Sequence, residues 1–217
     1  PPMPIKCAGA PQKAMYLACD AWRRRGLADN INVSFHTATP GLFGVKEFVP
    51  PLMEYIHRYH IDLCLKSNLK KVDGRNRIAT FENVAEDGGK TTTETEFDML
   101  HVVPPQCAPE VIRNSPLAGE GGWVSVDPAT LRHTKYENVF SLGDVAGTSN
   151  AKTAAAVRVQ APVVAVNVLA TLDHKPMVAD YDGYGACPLT VERGRIVLAE
   201  FCLLYTSDAA DDTPCVD

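Results

Sequence analysis

The first hundred residues alternate between two patterns of apolar and polar positions, one typical of helices and one typical of strands. From Ala10 to Gly26, apolar residues recur near helical spacing, arginines fill the last turn and a glycine stands at the end, which predicts a helix. Ile31 to Ala38 alternates apolar and polar residues and predicts a strand. The stretch "VKEFVPPLMEYIHRYH" predicts a second helix, because its two prolines fall near the first turns, where proline is tolerated.

Strand patterns dominate the next part of the chain. "IDLCLKSNL" predicts a strand, and "KKVDGRNRIATFENV" predicts a hairpin, because Asp73-Gly74 lies between two β-prone runs. "EFDMLHVVPP" predicts an apolar strand that ends abruptly at Pro104-Pro105. Strands and helices that alternate over short connections indicate an α/β class with a parallel sheet, joined here to a small antiparallel part.

A strand, "NVFSLGD", and a long helix, "KTAAAVRVQAPVVAVNVLATL", are the last strong elements before a final strand pair. The helix is apolar on most sides, so we expect it to be buried. Ser149-Asn150 stands just before it and is expected to cap it. The loop that follows the helix carries Cys187 and leads into the strand pair.

The composition is that of a soluble globular protein. The chain has 217 residues, of which 46% are hydrophobic and 22% charged, which excludes collagen-like and disordered classes. A net charge of −5 leaves no electrostatic footprint for nucleic acid, so no nucleic-acid partner is expected. We find no apolar run as long as the roughly 18 residues that a membrane-spanning helix needs.

Residues 202–217, "CLLYTSDAADDTPCVD", differ abruptly from the rest of the chain. The string resembles a translated sequencing adapter, and we interpret it as a non-native tail. Without it the net charge moves from −5 to −1 and the cysteines fall from seven to five, so the acidity says nothing about partners. The remaining cysteines form no CxxC pair, and we expect Cys19 and Cys64 to be small buried hydrophobic residues.

The most specific single motif is "VFSLGDVAGTSNAKTAAAV", in which a strand ends at Gly143-Asp144 and a helix begins near Lys152. A carboxylate at a strand end can accept hydrogen bonds from sugar or ribityl hydroxyls, and a helix N-terminus favours an electron-rich group. Alternatively, Asp144 caps a turn and the small alanines allow close helix packing. The spacing of these residues alone favours neither interpretation over the other.

That motif resembles the second flavin-binding motif of flavoproteins with two dinucleotide-binding domains. Together with "IKCAGAPQK" and "YDGYGACPL…RIVLAEF", it is similar to the sulfide:quinone oxidoreductase family, particularly its mitochondrial branch. The resemblance runs from Pro4 to Phe201 and includes "FGVKEF", "FDMLHVVPP" and "GWVSVD" in order. It implies a partial two-domain FAD/NAD(P)-binding, Rossmann-like fold, truncated at both ends. The GxGxxG fingerprint of the FAD pyrophosphate site is not present.

The resemblance also implies an organisation into parts. Residues 1–100 would be the later part of the second dinucleotide-binding-like domain, and residues 101–175 the C-terminal part of the FAD-binding domain. Residues 176–201 would carry the redox cysteine loop and its strands, followed by the tail at 202–217. The chain begins at Pro1 as if within a longer protein, so we expect it to bind FAD weakly or not at all by itself.

Two cysteines acquire roles only through the resemblance. It implies that Cys7 and Cys187 form a redox-active disulfide or persulfide bridge. A thiolate is the nucleophile in such chemistry, and the cations Lys6 and Lys13, with the start of the first helix, are expected to stabilise it. The alternative is two unrelated buried thiols.

The resemblance assigns cofactor contacts as well. It implies that Asp144, Lys152 and Thr153 hold the ribityl and pyrimidine side of FAD. Pro104 and Pro105 match a strand end that passes close to the isoalloxazine ring in that family, although two prolines can simply end an element. No metal is expected, because His57 and His60 on the second predicted helix lack a third ligand.

The implied activity is oxidation of sulfide, with FAD carrying two electrons to a membrane quinone. The implied partners are sulfide, quinone and a sulfur acceptor such as a small thiol or sulfite. Peripheral contact with a bacterial or mitochondrial inner membrane would use segments outside this chain. A type II NADH dehydrogenase or a flavocytochrome-linked sulfide dehydrogenase shares the fold and is an alternative. A truncated, inactive fragment is another.

Overall fold

The computed structural model describes residues 1–3, 5–150 and 152–201, so the tail proposed at 202–217 lies outside the described residues. The chain divides into two compact units. The first unit consists of Pro1–Pro105 and Leu189–Val197, and the second of Gln106–Pro188 and the described part of Leu198–Asp217. Helices, a parallel strand pair and an antiparallel sheet are all present, which confirms the predicted α/β class.

Two helices and a parallel strand pair begin the first unit. Helix α1 spans Gly9–Arg24 and stops before Gly26, whose φ of +68° suits the end of a helix. Helix α2 spans Val49–Arg58, with prolines in its first turn as predicted. Strands β1 (Ser34–His36) and β2 (Asp62–Cys64) pair in parallel, and β1 is shorter than the predicted strand.

A three-stranded antiparallel sheet completes the strands of this part of the chain. Strands β3 (Ser67–Asp73) and β4 (Ile78–Val84) form the predicted hairpin, and β5 (Lys90–Glu96) adds a third strand that we did not predict. The single strand predicted for "IDLCLKSNL" is wrong, since it divides into β2 and β3. The chain turns between them at Lys66, which has a φ of +49°.

Helices α1 and α2 enclose the core of the first unit. Tyr16 and Leu52 are fully buried, and the ring of Tyr16 meets that of Tyr55 edge-on with centroids 6.2 Å apart. The buried amide of Gln12 donates to the carbonyl of Leu42 at 2.7 Å, so this polar side chain is satisfied inside the core. The face of α1 that packs in the core carries Gln12, Tyr16 and Cys19, whereas the apolar Leu17 is 41% exposed.

Two predicted strands are wrong. Residues 97–105 are irregular rather than a strand, and "NVFSLGD" forms isolated bridges, such as Arg132 to Phe140, and a 3₁₀ turn at Gly143–Val145. A strand requires a hydrogen-bonded neighbour along its length. Among the described residues, the sheets contain β1 to β5 and the pair β6 (Gly185–Glu192) and β7 (Arg195–Phe201), so neither segment has a neighbouring strand along its whole length.

Two helices lie in the second unit, the short α3 (Glu110–Arg113) and the long α4 (Ala154–Leu172). Thr153 caps α4, because its hydroxyl accepts the Ala156 N–H at 3.2 Å. The predicted cap at Ser149-Asn150 is wrong, since the helix begins four residues later. The Asn150 amide instead donates to the Tyr181 hydroxyl at 2.6 Å.

Helix α4 is less buried than its apolar sequence predicts. Leu169 and Leu172 are 63% and 70% exposed, so the expectation of a buried helix is wrong for one face. Within the residues described, α4 also has the length and apolar composition of a membrane-crossing helix, contrary to our prediction from the sequence. This observation rests on length and composition only, and core helices of soluble proteins meet the same criteria.

Candidate functional site

Cys7 lies in a strained backbone conformation just before α1. Its φ is +38°, in the left-handed backbone region that residues other than glycine rarely adopt. Its carbonyl accepts the N–H of Ala10 at 3.0 Å, which joins the cysteine directly to the first turn of α1, and its side chain is half-buried. Strain of this kind concentrates at functional sites, and no pattern in the amino-acid sequence indicates it.

Cys187 has a different environment. It lies on β6, is 2% exposed and is flanked by the buried Ala186 and by Pro188. It belongs to the second unit, whereas Cys7 belongs to the first. The pairing of the two thiols therefore stays a prediction, and the structure describes only the local environment of each cysteine.

Two buried carboxylates in the first unit bind the tip of the β6–β7 hairpin to the helices. Asp20 on α1, 2% exposed, accepts the backbone N–H of Arg193 at 3.1 Å and the Arg24 side chain at 2.9 Å. Glu192 is 9% exposed and has several cationic or hydroxyl partners. These are Arg23 at 3.6 Å, Arg58 at 3.4 Å, Arg195 at 3.1 Å and the Tyr55 hydroxyl at 3.4 Å. No sequence pattern could have found the contact of Asp20 with Arg193, because its two ends are 173 positions apart.

Cys19 and Cys64 differ chemically from a reactive cysteine. Burial raises the pKa of the Cys19 thiol to about 11. Burial and the neighbouring Asp62 carboxylate raise the pKa of Cys64 as well. Both thiols therefore stay protonated near neutral pH, which suits a structural role. Cys19 is buried as predicted, whereas Cys64 is only half-buried.

The segment between Gly143 and α4 is built around two glycines. Gly143 has a φ of +69°, and its N–H donates to the Gln160 side chain of α4 at 2.8 Å. At Gly147 a Cβ would lie only 2.8 Å from the Val124 carbonyl oxygen, so no larger residue fits without a shift. The hydroxyl of Thr148 is buried and has no hydrogen-bond partner within the described part of the chain. The loop is thus compact and retains one buried hydroxyl that can still form a hydrogen bond.

The predicted cofactor residues at the start of α4 also make internal contacts. The Lys152 ammonium donates to the Ala146 carbonyl and lies 5.0 Å from the centre of the Trp123 ring. The Thr153 hydroxyl is used as the helix cap. Asp144 is exposed at the 3₁₀ turn. An exposed carboxylate, a buried hydroxyl at Thr148 and a helix N-terminus form a donor and acceptor set that fits the ribityl and pyrimidine side of a flavin.

Pro104 and Pro105 lie elsewhere, at the end of the irregular segment 97–105 in the first unit. Both are exposed, and both line a groove of about 850 Å³ within that unit. The contact of these prolines with a flavin ring stays a prediction. Among the residues that the structure describes, no group of three or more His, Cys, Asp or Glu side chains is arranged to hold a metal ion.

No family model matches the chain. Three mitochondrial sulfide:quinone oxidoreductases do match it: the protein of Schizosaccharomyces pombe is 43% identical over 200 residues, which cover 91% of this chain and 43% of that protein. The Mus musculus protein is 39% identical over 99% of this chain and 47% of its own length. The Dictyostelium discoideum protein is 40% identical over 91% of this chain and 43% of its own length. The resemblance to sulfide:quinone oxidoreductases is confirmed. The chain spans a little under half the length of these relatives.

Solved structures with the same fold include a sulfide:quinone oxidoreductase and a chain of a larger assembly. The sulfide:quinone oxidoreductase of Aquifex aeolicus aligns with a TM-score of 0.74 at 16% identity, over 90% of this chain and 52% of that one. A chain in the Tetrahymena thermophila mitochondrial ATP synthase aligns with a TM-score of 0.71 at 23% identity, over 89% of this chain and 47% of that one. At these identities the likeness concerns the fold alone, and it confirms the predicted fold class.

Proposed function

We propose that this chain is part of an FAD-dependent sulfide:quinone oxidoreductase in which Cys7 and Cys187 form the redox pair. The observation that carries the proposal is identity of 39% to 43% with three proteins of that name, over at least nine-tenths of the chain. The strained backbone at Cys7 supports it, because strain is maintained where a site needs a fixed geometry.

The reaction begins with the disulfide of Cys7 and Cys187. Hydrosulfide attacks one of its sulfur atoms, so that a new sulfur–sulfur bond forms there and the other cysteine leaves as a thiolate. The sulfide sulfur is thereby oxidised and the disulfide reduced. A small thiol or sulfite then removes the outer sulfur of the persulfide and leaves a thiol. The thiol and the thiolate return to the disulfide by losing two electrons and one proton.

Positive charge near Cys7 favours the thiolate that leaves or attacks. The N-terminus of α1 begins two residues after Cys7 and supplies part of this charge. Lys6 and Lys13 supply the rest. The strained turn at Cys7 holds the sulfur at the end of the helix.

The residues that would hold FAD lie before and at the start of α4. Asp144 would accept hydrogen bonds from ribityl hydroxyls, and the N-terminus of α4, with Lys152 and Thr153, would hold the pyrimidine side. Pro104 and Pro105 would contact the ring system. The chemistry that FAD supplies when bound is acceptance of two electrons and their transfer to a quinone. The protein's part is to orient these groups and to provide the local charge.

The organisation and location follow from the same proposal. Residues 1–100 belong to the second dinucleotide-binding-like domain, 101–175 to the FAD-binding domain, and 176–201 to the loop and strands of the second cysteine. The enzyme lies peripherally on the inner membrane of bacteria or mitochondria, and the word "mitochondrial" in the relatives' names supports the second location. A titration of the chain with FAD, followed by flavin fluorescence, is expected to give weak binding or none.

Persulfide mapping tests the proposal directly. The oxidised chain is exposed to sulfide, its thiols and persulfides are alkylated, and the peptides are identified by mass spectrometry. A persulfide is expected on Cys7 or Cys187, and Cys7→Ser or Cys187→Ser should abolish it at both positions. Cys64→Ser is the matched control and should leave it unchanged. Equal persulfide on Cys64, or an undiminished signal on Cys7 in the Cys187→Ser variant, would contradict the mechanism.

A further inference from the structure

Gln12 is a polar side chain enclosed in the core of the first unit, in the first turn of the helix that follows Cys7. It is 1% exposed, whereas glutamine is ordinarily found at protein surfaces. Its amide nitrogen donates to the Leu42 carbonyl at 2.7 Å, and its amide oxygen accepts the Tyr16 hydroxyl at 3.3 Å. Because a carbonyl oxygen can only accept, the Leu42 contact fixes which way the amide points. A buried amide without partners is strongly unfavourable, so this side chain is held at one place.

The carbonyl that receives this bond belongs to a loop that is itself well anchored. The Thr39 hydroxyl donates to the Gly41 carbonyl at 2.7 Å, which fixes the start of the loop. The side chains of Leu42 and Val45 are 5% and 2% exposed, so the rest of the loop is packed into the core. Leu42 is therefore a firm point of attachment, and Gln12 ties the first turn of α1 to it.

Two backbone hydrogen bonds connect Gln12 to the turn at Cys7. The Cys7 carbonyl accepts the N–H of Ala10 at 3.0 Å. Helix α1 begins at Gly9, so the carbonyl of its N-cap residue, Ala8, accepts the first intrahelical bond, which comes from the N–H of Gln12. The anchored glutamine therefore holds, through its own backbone, the residue that directly follows Cys7.

The end of α1 next to Cys7 keeps its positive charge. Among the residues that the structure describes, Ala8 has no side-chain cap hydrogen bond and the first turn of α1 contains no acidic residue. The partial positive charge of a helix N-terminus favours a thiolate over a thiol. Because this effect falls off within the first turn, it depends on where Cys7 is held relative to that turn.

We propose that Gln12 is a positioning residue for Cys7. Its buried amide anchors the first turn of α1 to the Leu42 carbonyl and so keeps the Cys7 sulfur beside the helix N-terminus, where the thiolate is favoured. The inference rests on the proposed function, since it assigns Gln12 to the reaction of Cys7. Loss of the amide donor should lower the fraction of Cys7 that is thiolate near neutral pH. An amide with a packing role alone would change the free energy of unfolding and leave that fraction as it is.

Alkylation of individual cysteines at two pH values tests the proposal on the whole chain. The reduced chain is treated with iodoacetamide, and the rate at Cys7 is followed by mass spectrometry, with the exposed Cys107 of the second unit as the internal reference. Only the thiolate reacts, so the ratio of the rate at about pH 7 to the rate at about pH 10 reports the thiolate fraction and cancels differences in access. Gln12→Met removes the amide with little change in volume. It is expected to lower this ratio about threefold at Cys7 and to leave it unchanged at Cys107.

Ser67→Ala is the matched control in the same unit. Ser67 is 1% exposed, and its hydroxyl forms a hydrogen bond of 2.9 Å with Nδ1 of His36, so this variant also loses one buried hydrogen bond, but one that does not involve α1. It should leave the ratio at Cys7 unchanged. An unchanged ratio in Gln12→Met, or an equal fall in Ser67→Ala, would overturn the proposal.

A second variant decides the matter if Gln12→Met does not fold. Tyr16→Phe keeps the packed ring and removes the hydroxyl that donates to Gln12, so the ratio at Cys7 should fall by a smaller factor. A ratio equal to that of the unchanged chain would then refute the role of Gln12.

The assay uses neither sulfide nor Cys187, so its outcome is separate from that of the persulfide test. A lowered ratio with failed persulfide mapping would support the positioning of Cys7 by Gln12 and refute only the redox pair. Successful mapping with an unchanged ratio would refute only the role of Gln12.

Discussion

The strained backbone at Cys7 makes a prediction that separates the thiol from the conformation that holds it. Cys7→Gly and Cys7→Ala both remove the sulfur, but only alanine keeps a Cβ. Because the φ of Cys7 is +38°, the Cβ is unfavourable there, and glycine should relieve the strain. The prediction is that Cys7→Gly is more stable than Cys7→Ala.

The magnitude follows from two opposing terms. A left-handed conformation destabilises a residue with a side chain by about 1–2 kcal/mol. The greater freedom of glycine in the unfolded chain offsets about 0.5–1 kcal/mol of this gain. The glycine variant should therefore unfold with a free energy about 0.5–1 kcal/mol higher than that of the alanine variant.

Cys64 provides the matched control in the same unit. It lies in β2 with an ordinary extended backbone, so Cys64→Gly should be less stable than Cys64→Ala by about 0.5–1 kcal/mol. The sign of the glycine–alanine difference is thus opposite at the two positions. Urea unfolding followed by tryptophan fluorescence measures it, with Trp123→Phe in all variants so that Trp22 reports on the first unit. If Cys7→Gly is also the less stable variant, Cys7 is not strained and the reasoning is refuted.

Three further predictions concern the rest of the molecule. Gly147→Ala should lower the free energy of unfolding by about 1–3 kcal/mol, because its Cβ would lie 2.8 Å from a backbone oxygen. Gly44→Ala, with nothing within 4 Å, should be neutral or stabilising in the urea assay with Trp22 as the probe. For the Gly147 and Thr153 variants, which lie in the second unit, Trp123 is kept and Trp22 is replaced by Phe. Thr153→Ala should lower the free energy of unfolding by about 1 kcal/mol through loss of the α4 cap, and Thr153→Ser should restore most of the lost stability. Burial lowers the pKa of His36, partly offset by Asp62, so the unfolded state binds more protons just below pH ~6.5. Stability should fall there as the pH drops, and His36→Gln should lose this slope.

The helices were predictable because their signals are local. Apolar spacing, prolines in a first turn and a terminal glycine placed α1 and α2 within a few residues of their observed bounds. The cap of α4 was misplaced because Thr153 as well as Ser149-Asn150 precedes the helix, and only the fold decides which side chain is adjacent to the first turn. The Asn150 side chain is used by Tyr181, which leaves Thr153 as the cap.

The strands were less predictable because a strand depends on a neighbour distant in sequence. The segment 97–105 has an apolar strand pattern and yet is irregular, since no strand lies beside it in the described residues. Strand β5 was missed for the opposite reason. Its sequence, Lys90–Glu96, is polar and threonine-rich with no alternation, and its pairing with β4 is what makes it a strand.

At the candidate site, too, local motifs were predictable and features that depend on the fold were not. The resemblance pointed to Cys7, Cys187 and Asp144, since whole motifs are visible in the sequence. The strain at Cys7 was not visible, because a φ value depends on how the following helix packs. The contact of Asp20 with Arg193 was also invisible, since it joins residues 173 positions apart.

A disulfide map of the chain under oxidising, non-reducing conditions tests the pairing of Cys7 with Cys187. We expect one dominant cross-linked peptide that joins Cys7 to Cys187, either directly or with the mass of an additional sulfur atom between them. Cys64→Ser should leave that peptide in place. If either cysteine is linked mainly to a third one, or if both are fully alkylated as separate thiols, the two cysteines do not form the redox pair.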